Sequence, residues 1–542
     1  MSTIHAAFTK VAASRGDAEF LRVESVTAAA YGIDAGPRSW REVAVEVERL
    51  RLAYVQAGYG HGHRVGLLLE NRPAFFTHWL ALNAIGASVV PIHADMRHLE
   101  WVHLIGQTEM CLAVTLPERE ADLRSAASEA HVHMHTIRPD VPGRIPPARM
   151  PAPLAKVEIG RDSESAVLYT SGSIGRAKGC RLSNGYFLRA GEWSLGHGQL
   201  ATLRPDAERV ITPLPLSHVS AMAFSSMAVI LSGGCLVQLD RFHPSTWWQS
   251  VRESRATVAH YLGPMPTQLL AAPPSESDRD HALRFAIGAG VDRRDHAAFE
   301  ERFGLPLLEA WSMTETGAAA GIVADREPRH VGTNCFGRAE SFVETRVVDD
   351  KGADAAADEP GELRVRAAGD DPRRDFFLGY LKDDAATEAA WAGGWFHSGD
   401  VVSRSAEGDF HFVDRRKSLI HRGRKVISSI EVESVLARHP AVARCAVAGA
   451  PDPDRGEEVL AFVVLRPSSA APAPEHIAAS LVAHALERLP YFQVPGYVAF
   501  VEALPVTLAQ TIARAELREL AKSLPGHSNC IDTRKLKRRR KE

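Results

Sequence analysis

Residues 165–179 read SAVLYTSGSIGRAKG, and this stretch decides the fold. An apolar run, Ala166–Tyr169, leads into a loop with three glycines, three hydroxyl side chains and one lysine. Glycines let backbone N–H groups come close to oxyanions, hydroxyls donate further hydrogen bonds, and Lys178 supplies charge. The lysine precedes a glycine rather than Ser or Thr, and no GxxxxGK frame fits, so this is not a Walker A loop. Taken alone, the loop suits phosphate binding or a mobile surface turn.

The flanking sequence sets the loop in a parallel sheet. Residues 64–69 are a buried-strand pattern, residues 73–86 (PAFFTHWLALNAIG) a helix, and residues 87–92 the next strand. Strand–helix–strand with nearly continuous apolar strands predicts a parallel sheet covered on both faces. Residues 219–239 (VSAMAFSSMAVILSGGCLVQL) are broken by serines and by Gly233-Gly234, which predicts a buried helix, a glycine turn and a strand rather than a membrane span. Residues 137–154, rich in proline and arginine, are read as an irregular connection.

Composition bounds the rest. The chain has 542 residues, 45% hydrophobic and 24% charged, with a net charge of −3. That is globular composition long enough for more than one folded unit, with no global field to gather nucleic acid. Six cysteines without a CxxC pair argue against a disulfide scaffold or structural zinc, and for reduced thiols in a cytoplasmic protein. No secretory h-region opens the chain. After Asp414 the character changes: DRRKSLIHRGRKV (414–426) precedes a helix with capping-box spacing at Ser428 and Glu431. Strand-like runs at 441–448 and 459–465 and a helix over 475–489 complete a small α+β unit. The basic end, TRKLKRRRKE (533–542), reads as a solvated terminus.

With these motifs in hand, the chain resembles the adenylate-forming superfamily of acyl-CoA synthetases, nonribosomal-peptide adenylation domains and firefly-type luciferases. The 165–179 loop is similar to its phosphate loop. WSMTET (311–316) is similar to its adenine and magnesium motif, WFHSGD (395–400) to its Trp-x-x-Thr-Gly-Asp, and VDRRK (413–417) to its segment before the hinge. IGAGV (287–291), ERFGLPLLEAWSMTETG (301–317) and SSIEVE (428–433) look most like the crotonobetaine/carnitine–CoA ligase group.

The resemblance implies an α/β fold: a large N-terminal domain of mixed sheets covered by helices, with a small mobile α+β C-terminal domain. It sets the N-terminal domain at 1–415, a hinge at 416–420 and the mobile domain at 421–525, and leaves 526–542 as a disordered basic tail. The function it implies is ATP- and Mg²⁺-dependent activation of a small carboxylic acid as acyl-AMP, then transfer to CoA. The alternatives are delivery to a carrier-protein pantetheine or a nitrogen nucleophile, or a degenerate nucleotide-binding protein. Nucleic-acid and membrane partners are not expected, and a homodimer is left open.

The implied site residues follow the motifs. Thr170, Ser171, Gly172, Ser173, Gly175 and Lys178 would cradle phosphate, and Gly288, Ala289 and Gly290 would wall the adenine. Trp311 would stack on adenine, Thr314 would bond the α-phosphate, and Glu315 would hold magnesium. Asp400 and Arg415 would hold the ribose, and His218 would lie near the acyl group and the CoA tunnel. Ser312 stands where the family usually has Gly, which hints at a small or polar substrate. In LPVTLAQTIARAEL (504–517), Pro505, Thr507, Gln510, Ile512 and Arg514 fix a register that puts Thr511 at the position of the family's catalytic lysine. Ser418 and Arg424-Lys425-Val426 are smaller departures around the hinge.

Overall fold

The computed structural model describes residues 2–139, 145–150, 158–170, 177–423, 425–467, 473–506 and 512–537. Strands Arg64–Leu68 and Ser88–Pro91 pair in parallel across helix Pro73–Ala84, as the apolar runs predict. Every side chain from Phe75 to Asn83 is buried, because a helix apolar all round must be enclosed. The resulting seven-stranded sheet carries strands Glu164–Thr170 and Lys178–Ser183, paired antiparallel with Thr170 opposite Lys178. Strand Gly379–Tyr380 adds its edge beside Lys178–Ser183.

A second, eight-stranded sheet has a parallel centre in which Val258–Leu262, Phe285–Ala289 and Leu307–Trp311 are neighbours. A five-stranded antiparallel sheet includes Phe396–Arg404 and Phe410–Arg415. The stretch 219–239 folds as expected into helix Ser226–Ser232, Gly233 at φ +75° and strand Cys235–Gln238. Its opening turn, Ser220–Ser225, is a π-helix. Ser225 and Ser226 donate their hydroxyls to the carbonyls of Ser220 and Ala221, at 3.1 and 2.8 Å. Such back-bonding competes with ordinary helical pairing, and the serines were the sequence sign of it.

Beyond Arg415 a short 3₁₀ turn, Arg416–Ser418, leads to a six-stranded sheet around the long hairpin Val442–Asp452 and Gly456–Leu465. Apolar clusters on its two faces run from Ile420 to Val498 and from Ala446 to Cys530, and share no residue with the main core, which ends at Phe410. The helix after Ser428 is Ser429–Leu436. Ser428 Oγ accepts from Glu431 N at 3.3 Å, but Glu431 bonds Gln493 instead of closing a reciprocal capping box. Asp414 takes that place from across the turn: its Oδ2 accepts from Ser428 Oγ, Ser429 N and Ser429 Oγ at 3.0, 2.7 and 3.0 Å.

Of the expected disordered tail at 526–542, the described residues 526–537 instead fold onto the small lobe, and 538–542 lie outside the described residues. Cys530–Asp532 pairs antiparallel with strand Tyr497–Phe500, and Lys537 Nζ reaches buried Glu458 at 2.7 Å. The cause is that Glu458 is a buried carboxylate that needs cations, and Arg422 and Lys537 both supply them. All six cysteines are unpaired thiols. Among the described residues no helix is long and apolar enough to cross a membrane.

Candidate active site

Three neighbouring parallel strands of the eight-stranded sheet end, at Leu262, Ala289 and Trp311, on one cleft of about 2340 Å³. Ligands of open α/β sheets bind outside the carboxyl ends of the strands, where loops converge. Here the walls come from Thr170 and Lys178, from Asp400 and Arg415, and from Pro505, Val506, Ile512, Arg514 and Arg518 of the small lobe.

Asp400 is buried at the C-terminal half-turn of the WFHSGD segment, opposite Arg415 in the strand pairing. Its Oδ2 accepts from the indole N–H of Trp311 at 2.9 Å. Its Oδ1 is buried without a hydrogen bond, with Arg415 Nε at 3.4 Å and the Arg415 head largely in solvent. Burial pushes the Asp400 carboxyl above its ordinary value, against the pull of Arg415 and Trp311. A buried anion with an open lone pair is a binding feature, because leaving it unmet is costly.

Glu315 is the second buried carboxylate on the wall. Its Oε1 accepts from Tyr380 O–H at 2.8 Å, and burial raises its carboxyl in spite of that bond. Lys178 Nζ lies 4.5 Å over the Tyr380 ring and 3.8 Å from Asp383. Burial, with Lys178 and Arg415 close by, holds the Lys417 ammonium below its usual range. Asp400, Glu315, Lys178, Arg415 and Lys417 thus converge on one cleft. Among the described residues no group of three His, Cys, Asp or Glu side chains could form a protein-only metal cage. A single carboxylate suits Mg²⁺, which keeps water and completes its shell with substrate phosphate oxygens.

The remaining expected residues fall as follows. Gly288 and Ala289 line the cleft, whereas Gly290, at φ +82°, turns off the wall and donates its N–H to Glu309 at 2.9 Å. Trp311, Ser312 and Thr314 line it as well, and the Thr314 carbonyl is fixed by Tyr186 O–H at 2.9 Å. His218 stands on the wall with Nδ1 3.1 Å from Ser220 Oγ, and burial lowers its ring to about 4, so it is neutral near pH 7. Ser171, Gly172, Ser173, Gly175, Arg424 and Thr511 lie outside the described residues. The neighbours of Thr511 on either side, Val506 and Ile512, pair as an isolated bridge and line the cleft. Arg514 is tied to Glu433 of its own lobe, with Nη2 2.7 Å from Oε2.

Two residues escaped the sequence reading. Tyr380 connects Glu315 and Lys178, but only the pairing of strand Gly379–Tyr380 with Lys178–Ser183 shows it. Buried Glu309 accepts from Tyr261 O–H and from the N–H groups of Gly290 and Val291, which shapes the Gly288–Ala289 wall. An acidic residue inside an apolar strand was the available signal.

Comparison with known proteins agrees with this geometry. The profile of the AMP-binding enzyme family matches residues 9–381, and that of the AMP-binding enzyme C-terminal domain matches residues 431–509. A crotonobetaine/carnitine–CoA ligase of Escherichia coli O45:K1 is 30% identical over 496 residues, covering 89% of this chain and 93% of the relative. Among solved structures, the ATP-bound RpMatB–BxBclM chimera B1 superposes with a TM-score of 0.81 at 24% identity, covering 97% of this chain and 100% of the other. The amide bond synthetase McbA from Marinactinospora thermotolerans gives 0.76 at 25% identity, covering 95% and 99%.

Proposed function

The chain belongs to the AMP-binding enzyme family of adenylate-forming acyl-CoA ligases, and we propose that it activates a carboxylic acid as its acyl-adenylate and passes the acyl group to the thiol of CoA. The observation that carries this reading is Asp400: a buried carboxylate oxygen without a hydrogen bond, held by Trp311 at the rim of a cleft rich in cations. A ribose supplies hydroxyl donors for that oxygen, and an anionic acceptor binds them more strongly than a neutral one.

The other residues take roles from position. Gly288 and Ala289 give the base a flat backbone wall, and the Trp311 ring stacks on it. Arg415, beside Asp400, contacts the same ribose, Lys178 and Lys417 meet phosphate charge, and Thr314 bonds the α-phosphate. Glu315 would hold Mg²⁺, which supplies charge neutralisation across the phosphates. In the first step a carboxylate oxygen bonds to the α-phosphorus, the α–β P–O bond breaks, and pyrophosphate leaves. In the second the CoA sulfur bonds to the acyl carbon, the C–O bond to AMP breaks, and the thiol proton departs. Neutral His218 on the wall can accept a hydrogen bond near the acyl carbon.

The lobes fit a two-pose cycle with the pivot at 416–420, since separate apolar clusters lie on either side of it. The present pose puts Pro505, Val506 and Ile512 on the cleft, which suits the first step. A threonine at 511 carries no charge, so on this reading the cations already on the large lobe and the pivot carry the load. The cytoplasm, which holds ATP and CoA, is the compartment this chemistry suits. Hydroxamate trapping with ATP and a panel of small, aryl and fatty acids tests the reading. Hydroxamate above background with any acid supports it, and ATP binding without trapping across the panel would favour a nucleotide-binding protein. Competition between CoA, a carrier protein and amines then identifies the acceptor.

A further inference from the structure

The faces of two neighbouring strands wall one part of the cleft, a side pocket next to the nucleotide wall. Val258, His260 and Leu262 alternate onto one face of their strand, and Phe285, Ile287 and Ala289 stand opposite them in register. These pairs make three levels, each about 6.6 Å below the last at two residues per step. The top level, Leu262 with Ala289, borders the nucleotide wall, and the middle level is His260 with Ile287. Trp193 and Phe224, with ring centroids 5.4 Å apart, add an apolar lining to the same cleft.

No Lys, Arg, Asp or Glu lies on the wall contributed by residues 193–228, 258–262 and 285–289. A second carboxylate or an ammonium group on the substrate would find no counter-ion there.

His260 is the polar group at the middle level, and its tautomer is fixed by its neighbours. Ser225 Oγ donates to the Ser220 carbonyl at 3.1 Å, so its single hydrogen is spent. At 2.6 Å from His260 Nδ1, the same oxygen then accepts from the Nδ1–H, and Nε2 keeps a bare lone pair. Burial lowers this ring to about 4, so it stays a neutral acceptor. Nearby, His197 lines the same pocket, its Nδ1 3.3 Å from Asp325 and its Nε2 buried without a partner.

We propose that the acid activated here has a flat apolar body about one aromatic ring long and an uncharged hydroxyl or amino group that donates to Nε2 of His260. His260 is then the residue that sets specificity for that donor. This rests on the adenylate reading above.

The test compares acyl-sulfamoyl adenosines, stable mimics of the adenylate, by calorimetry. Benzoyl and cinnamoyl series carrying meta or para hydroxyl or amino groups are paired with their methyl isosteres. The best donor-bearing analogue should bind about 10- to 100-fold tighter than its isostere, since the isostere leaves a buried histidine nitrogen unmet. The kcat/KM of the corresponding acids should show the same ratio. His260→Phe should bring the ratio below about threefold while AMP affinity stays unchanged. Ser225→Ala, a milder change that frees Nδ1 to trade tautomers, should lower the donor preference and improve methoxy analogues. Equal binding of isosteres, preference for a dicarboxylic or quaternary ammonium acid, or a ratio that survives His260→Phe would overturn this inference alone. Failure of every analogue to bind would overturn the adenylate reading with it.

Discussion

Asp400→Asn isolates the feature on which the nucleotide site stands. Asparagine keeps the shape and can still accept from Trp311 Nε1, the 2.9 Å bond that holds the side chain in place. What changes is the other arm, where a buried carboxylate oxygen with no hydrogen bond becomes an amide donor. Hydrogen bonds to a charged group contribute about 1.5–3 kcal/mol, so losing the anionic acceptor for ribose should cost about 2 kcal/mol, or roughly 30-fold in affinity. The Arg415 pair adds little to this, because the guanidinium is mostly exposed. Stability should move the other way. Burial already disfavours the Asp400 anion, so the neutral variant should unfold at the same temperature as the parent or higher. Calorimetric titration with AMP and a thermal scan of the unliganded protein give both numbers. An AMP affinity within threefold of the parent, in a folded variant, would refute the assignment of Asp400 to the ribose.

Glu315→Gln keeps the bond from Tyr380 and removes the charge, so adenylation should fall at least about 10²-fold and lose its magnesium dependence, with Tm maintained; unchanged magnesium dependence removes Glu315 from the site. Thr511→Lys should raise adenylate formation about 10²-fold in single turnover and leave thioester formation from supplied acyl-adenylate unchanged. Equal effects on both half-reactions would make Thr511 structural. The pH dependence of stability follows from His78 and His260, both buried and lowered from 6.5 to about 4. Between those values the unfolded chain binds more protons, so stability must drop as pH falls from about 6.5 towards 4, by on the order of 3 kcal/mol per ring. Denaturant midpoints that do not move between pH 7 and 5 would contradict this.

The parts of the fold visible in the sequence were those written in local pattern. The strand–helix–strand at 64–91 was legible because parallel strands and an enclosed helix are apolar on every side. The region 219–239 was legible because Gly233-Gly234 can only be a turn, although the π-turn before it depends on Ser225 and Ser226 reaching back to carbonyls. The basic end misled because charge run and solvent exposure usually go together, and only Glu458, buried elsewhere in the chain, gives Lys537 a reason to fold back. In the site, single positions such as Glu315, Asp400 and Arg415 could be read from ordered motifs. Their supports could not: Tyr380 and Glu309 act across strands, and such pairings leave no spacing in the sequence. His260 is of the same kind, since its tautomer is set by a serine 35 positions away.

If this chain adenylates its acid, a carboxylate oxygen of that acid becomes bonded to the α-phosphorus of ATP. Incubation with ATP, CoA and an acid labelled with ¹⁸O in its carboxylate, followed by mass spectrometry of the nucleotide, reads that bond directly. The expected product is AMP carrying one ¹⁸O atom, released together with unlabelled pyrophosphate. Unlabelled AMP, or label in inorganic phosphate with ADP as the nucleotide product, would contradict it.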